Sequence, residues 1–208
     1  MNEIYCSKKI EKSVEKILNQ HETCVFIFHG QKGIGKRSFT NILANKILQN
    51  KNRNNHFSIN TNFKSNQFQK KQENLILNNT HPDLFVIENE INKSIKIDEI
   101  RELKKFLSQT PSISNYKIII IDPIEDLTIN ATNTLLKSLE ETNHNTYIFL
   151  ISQNLGNVLK TIQSRVFKFY FDPISKDKFI SLLSLKNNFR FSNEELILIN
   201  NLFNFSPG

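Results

Sequence analysis

Over 208 residues the chain is 38% hydrophobic and carries 27 Lys and Arg against 20 acids, a formal net charge of +7; that length can bury the core of one α/β domain and a small appendage. No run approaches the ~20 apolar residues of a membrane span, Met1 to Cys6 lacks the charged-then-apolar layout of a signal peptide, and Cys6 and Cys24 are too few for a disulfide framework or a four-thiolate zinc site. The expectation is a cytoplasmic protein with no membrane contact and no metal centre built from cysteine.

Ser7 to Gln20 reads as an amphipathic helix, with Ser7 as N-cap and Ile10, Val14, Ile17 and Leu18 on one face. Cys24–His29 is a continuous apolar run of strand length. Gly30-Gln31-Lys32-Gly33-Ile34-Gly35-Lys36 follows, then apolar residues at helical spacing (Phe39, Ile42, Leu43, Ile47, Leu48). Strand, glycine turn and helix are the parts of a phosphate-binding loop. In such a loop, backbone N–H groups around Gly30, Gly33 and Gly35 and at the helix N-terminus cradle phosphate, Lys36 bridges terminal phosphates, and the next hydroxyl ligates Mg²⁺. Here Arg37 replaces that hydroxyl. Ser38 carries one, but a residue later in a helix it points about 100° away.

From Gln49 to about Thr80 the pattern gives way to Asn, Lys, Gln and Ser, which predicts a long polar surface loop over 49–80. Residues 1–72 hold 13 Lys and Arg against 4 acids, a candidate polyanion-facing surface; an AT-rich coding sequence accounts for the surplus equally well. Beyond His81-Pro82-Asp83 the strand Leu84–Glu88 is expected, then a helix opened by Asp98 with Ile100, Leu103 and Leu107 inward, ending before Pro111. Lys117–Asp122 carries an uninterrupted β-branched run, Ile118 to Ile121, the mark of a strand buried on both faces. A helix over Asn130–Glu141, a strand Thr146–Ile151, a helix near Asn157–Ile162 and a strand Phe167–Phe171 complete the alternation. The fold expected is a P-loop α/β domain, residues 1–172, with a parallel sheet covered by helices on both faces. Helices over 175–185 and 192–205 predict a partial helical lid, residues 173–208.

Asp122, ending a buried strand downstream of the loop, sits where a Walker B acid holds Mg²⁺. Pro123 follows it where a second acid would polarise water, and Glu125 and Asp126 read as solvated turn carboxylates.

Four blocks in order carry a resemblance: residues 94–103, the strand ending in Asp122, Asn133-Thr134-Leu135-Leu136-Lys137-Ser138-Leu139-Glu140-Glu141, and Ser164-Arg165-Val166. With His81-Pro82-Asp83, they resemble the AAA+ clamp-loader family of bacterial DNA polymerase III, most closely its delta-prime branch. The resemblance implies a subunit with a degenerate ATPase site that works beside gamma/tau and delta subunits to load a sliding clamp on primer-template DNA. It implies that Arg165, matching the Arg of a Ser-Arg-Cys motif with Val166 in place of Cys, acts in trans on a neighbour's ATP. It also makes Arg101 and Lys137 DNA-facing candidates. ATP or ADP would be held, if at all, without hydrolysis.

The sequence departs from the family in lacking a four-Cys zinc module over 49–80 and in carrying Thr142-Asn143 where a Pro pair is usual. It ends at Ser206-Pro207-Gly208, ahead of the lid Arg and collar domain of relatives, so the expectation is a shortened subunit or a fragment. Two alternatives stand beside this reading: an active gamma/tau-like ATPase, favoured by Lys36 and Asp122, and a basic DNA-binding P-loop module.

Overall fold

The computed structural model describes residues 8–50, 57, 73–89, 93–141 and 145–173; the expected cap Ser7, Thr142-Asn143 and the lid helices over 175–185 and 192–205 lie outside them. Helix α1 (Lys8–Gln20) buries Ile10, Val14 and Leu18. Strand β1 (Cys24–His29) leads through the glycine loop into α2 (Lys36–Gln49). Next come β2 (Leu84–Glu88), α3 (Ile97–Ser108), β3 (Lys117–Asp122), α4 (Ile129–Glu140), β4 (Thr146–Ser152), a short helix α5 (Lys160–Gln163) and β5 (Phe167–Tyr170).

The five strands form one sheet in the order β2-β3-β4-β1-β5, and every pairing is parallel. Because strand side chains alternate faces, the Ile run of β3 divides cleanly. Ile118 and Ile120 join α1 and α2 in one core with Phe26, Phe28 and Phe149, whereas Ile119 and Ile121 join α3 and α4 in the other with Ile100, Leu103 and Leu135. Both faces are therefore apolar and covered, as a parallel sheet requires. Each fully buried Ile contributes about 1.5–3 kcal/mol.

Helix α3 starts where the Lys96 N–H donates to the Glu99 carboxylate at 2.8 Å, and α4 where the Ala131 N–H donates to Thr128 Oγ1. Two expectations change. Within the stretch read as loop, residues 73–77 are helical, and Ile76 and Phe57 are buried in the first core, with Phe57 against the rings of Tyr116 and Tyr147. A pair of apolar side chains in polar surroundings shows no period, yet each finds the core. The helix expected near Asn157–Ile162 is instead a 3₁₀ turn, Leu155–Asn157, followed by α5. Gln163 Nε2 donates to the Leu155 and Val158 carbonyls and holds the break open.

Candidate nucleotide site

The carboxyl ends of β1, β2, β3 and β4 share one edge of the sheet: His29 pairs in register with Ser152, and Glu88 with Asp122. Ligands of open α/β sheets bind outside such an edge. The glycine loop lies there, with Gly30, Gly33 and Gly35 at φ 145, 82 and 91°, conformations that side-chain-bearing residues rarely adopt. At Gly30 there is also no room, since a Cβ would sit 2.5 Å from the Phe171 carbonyl oxygen. Ile34, 2% exposed, pins the loop into the first core.

Lys36 is buried, and its Nζ donates to the Gly30 and Gln31 carbonyls, both at 2.7 Å. Burial lowers its pKa, against the opposing pull of Asp122 and Glu125. Ser38 is exposed, turned away from the loop as its helical position requires.

Arg37 is the unexpected part. Its Nη2 forms an ion pair with Glu88 and donates to Asn79 Oδ1 at 3.3 Å, and its Nη1 lies 3.9 Å from Asp122 Oδ2. Asn79, at φ 55°, in turn donates to Glu88 Oε2 at 3.4 Å. Burial raises the Asp122 pKa; Arg37 counters this and Glu88 adds to it. These residues hold the parts of a phosphate cradle but do not fit a divalent ion. A guanidinium lies against the acid that would bind the metal, and the hydroxyl that would complete the coordination is missing. Sequence reasoning found Arg37 and Asp122 but missed Glu88 and Asn79. The available signal was that two successive apolar strands, β2 and β3, both end on an acid.

Glu125 is a correction. Read as a solvated turn carboxylate, it instead accepts from Ser152 Oγ, the Gln153 N–H and the Asn154 N–H at 2.6, 2.6 and 2.9 Å, all on Oε1, while its Oε2 is buried without a hydrogen bond. It ties the exit of β3 to the exit of β4. Asp126 likewise accepts from Asn89 at 2.9 Å. No local signal announces such clamps, because their partners lie 27 to 37 residues away.

Arg165 lies just past α5, bonded to the Glu140 carboxylate (2.9 and 3.1 Å) and the Thr161 carbonyl (3.0 Å). Its side chain is 44% exposed. Arg101, 65% exposed, pairs with Asp98 at 2.7 Å, and Lys137 is exposed on α4. Since Lys104 of α3 meets Glu141 at 3.4 Å, Arg101 and Lys137 stand one turn earlier on each of two packed helices. Among the described residues no cluster of His, Cys, Asp and Glu has the form of a metal site, and no helix is long and apolar enough to cross a membrane.

Comparison with known proteins adds a family to this geometry. The family model for DNA polymerase III, delta subunit, matches residues 6–175. The chain is 42% identical to DNA polymerase III subunit delta' of Pseudomonas aeruginosa over 92 residues, 44% of this chain and 28% of that protein. It is 31% identical to the subunit delta' of Bacillus subtilis over 176 residues, 84% of this chain and 49% of that protein. The chain thus spans about half the length, or less, of these curated relatives. Among solved structures it resembles a DNA polymerase III gamma subunit-related protein from Thermotoga maritima, with a TM-score of 0.65 at 23% identity over 93% of this chain and 54% of that one. At 11% identity a RuvB variant from the same organism matches with a TM-score of 0.57, covering 99% of this chain and 59% of its own; both matches speak to the fold alone.

Proposed function

The chain belongs to the DNA polymerase III delta-prime subunit family, relatives of the AAA+ clamp loaders, and from that premise we propose that it is a subunit whose own ATPase site is silent and whose Arg165 serves a neighbour's ATP. The observation that carries this reading is the Arg37 guanidinium beside Asp122. A Walker B carboxylate engaged by a side-chain cation has no room for the ion that ATP hydrolysis uses, and Pro123 offers no base. What remains is suited to work in trans. A guanidinium stays charged at all working pH and presents a planar donor fork to phosphate oxygens. Held by Glu140 and Thr161 at the surface, the Arg165 fork is kept in place before a partner arrives.

The partners follow from the family: gamma/tau and delta subunits, with the sliding clamp and primer-template DNA engaged through the complex. Arg101 and Lys137 are the candidates for phosphate contact, a sequence-independent mode in which positive side chains track the backbone.

The test is co-purification with a gamma/tau motor subunit, followed by DNA-stimulated ATP turnover. Arg165→Ala should lower turnover steeply, towards the ~10³-fold typical of missing arginine fingers, whereas Lys36→Ala in this chain should leave it unchanged. Equal rates for wild type and Arg165→Ala in an assembled complex would refute the finger. Turnover by the isolated chain that vanishes with Lys36→Ala would establish the gamma/tau-like ATPase instead. Tight, salt-sensitive duplex binding by the isolated chain would favour the DNA-binding module.

A further inference from the structure

Glu88 and Asp122 face one another across the β2–β3 register. Two like charges directly opposite on adjacent strands repel, and at this edge of the sheet the side chains are 49% and 26% exposed, so water screens them only in part. In a metal-using P-loop site the divalent ion sits between the hydroxyl after the loop Lys and the strand-end acid that Asp122 matches, beside this pair. Carboxylate oxygens are hard ligands suited to Mg²⁺ and Mn²⁺. Here one guanidinium lies against both acids, paired with Glu88, bonded to Asn79, and with Nη1 3.9 Å from Asp122. That Nη1 is buried and makes no hydrogen bond, so it faces the Asp122 carboxylate as a charge rather than reaching into solvent. The side chain comes from the position where a metal-binding hydroxyl would stand, and the next hydroxyl, Ser38, points outward.

We infer that Arg37 is a built-in replacement for the divalent cation: it offsets part of the charge of Glu88 and Asp122, closes that pair to Mg²⁺, and its removal opens a divalent-cation site on the two carboxylates. The inference rests on reading the site as degenerate and deepens it. Degeneracy becomes the substitution of one counter-ion for another, not the loss of a function by decay. It also gives Arg37 a folding role, because without a cation between them the ends of β2 and β3 repel.

The experiment uses the full chain, without nucleotide, and Mn²⁺ alone as the spectroscopic probe. Wild type should show no Mn²⁺ site below millimolar concentration and a Tm that Mg²⁺ leaves unmoved. Arg37→Ser should melt lower than wild type in EDTA, bind one Mn²⁺ per chain, and regain at least about 4 °C on adding Mg²⁺, the effect of a ligand present at tens of times its Kd. Adding Asp122→Asn should abolish both gains, and Arg37→Lys should behave as wild type. A wild-type Mn²⁺ site that Asp122→Asn removes would overturn the inference, as would a folded Arg37→Ser chain that binds none. Should Arg37→Ser fold only in Mg²⁺, the inference is supported; should it fold in neither condition, the wild-type titration decides. A wild-type Mn²⁺ site in a chain that turns over no ATP would end this inference while leaving the silent ATPase standing, whereas Mg²⁺-dependent turnover by the isolated chain would end both.

Discussion

At the scale of single residues, the chain places charges where burial makes them costly and then supplies partners. Lys46, on the α1-facing side of α2, is the clearest case: burial pushes its ammonium down to about 8, even with Glu11 and Glu15 nearby pulling the other way. Because the folded chain holds this proton less tightly than the unfolded chain, whose lysine titrates near 10.5, stability should rise as pH climbs from about 8 towards 10.5. Below that window the cost of charging Lys46 is fully present. Lys46→Met should therefore unfold at higher denaturant than wild type at neutral pH, and the advantage should shrink to nothing by the top of the window. Midpoints measured across that range check it; a variant less stable at neutral pH would show that the ion pairs outweigh burial. Arg165 and Arg37 obey the same logic in opposite settings. One is held at the surface by Glu140 and remains accessible, and the other is enclosed between two carboxylates.

At the scale of elements, the sheet is fastened at its ends by carboxylates and ammonium groups that cap loose backbone. Asp83, 1% exposed, precedes β2 and accepts the N–H groups of Ser112, Ile113 and Ser114. Lys117, at the start of β3, donates to the carbonyls of Phe106, Leu107 and Gln109, closing the C-terminus of α3. The two groups lie close enough that Asp83 partly offsets the lowering of the Lys117 pKa by burial. Replacing Asp83 by Ala leaves three donors without their acceptor and should cost about 3 kcal/mol by the scale of charged hydrogen bonds, with amide exchange rising first over 110–116. Equilibrium unfolding with exchange mass spectrometry measures both; a loss spread evenly over the sheet would show that the clamp is not local. His81, whose Nδ1 accepts the Asp83 N–H at 3.1 Å, sets the turn from which that carboxylate is aimed. The His-Pro-Asp sequence thus has a structural reason that needs no ligand.

At the scale of the whole molecule, the two apolar faces of the sheet carry helices of different duty. Helices α1 and α2 bury the larger aromatic core and present the glycine loop, while α3 and α4 present Arg101 and Lys137 to solvent. If that second surface tracks DNA in the assembled loader, charge reversal to Arg101→Glu and Lys137→Glu should weaken DNA binding by the complex. Its dependence on salt should also flatten, by about one unit of log–log slope for each phosphate that is no longer neutralised. An unchanged slope would remove both residues from the DNA surface. The parallel sheet, its strands to within a residue or two, the loop with Lys36 and Arg37, and the acid at Asp122 were all legible from the amino-acid order, because period, glycine spacing and β-branched runs are local properties that packing only reinforces. What no local pattern could disclose was the company these residues keep. Glu88 beside Asp122, Asn79 on Arg37, Glu125 on the β4 exit and Glu140 on Arg165 are pairings between segments far apart in the chain. They exist only once β2 and β3 lie in register and α4 packs beside the turn that follows α5. Side-chain chemistry therefore announced a phosphate loop with Arg37 in the place of its hydroxyl, but it took the folded sheet to bring that guanidinium against Glu88 and Asp122.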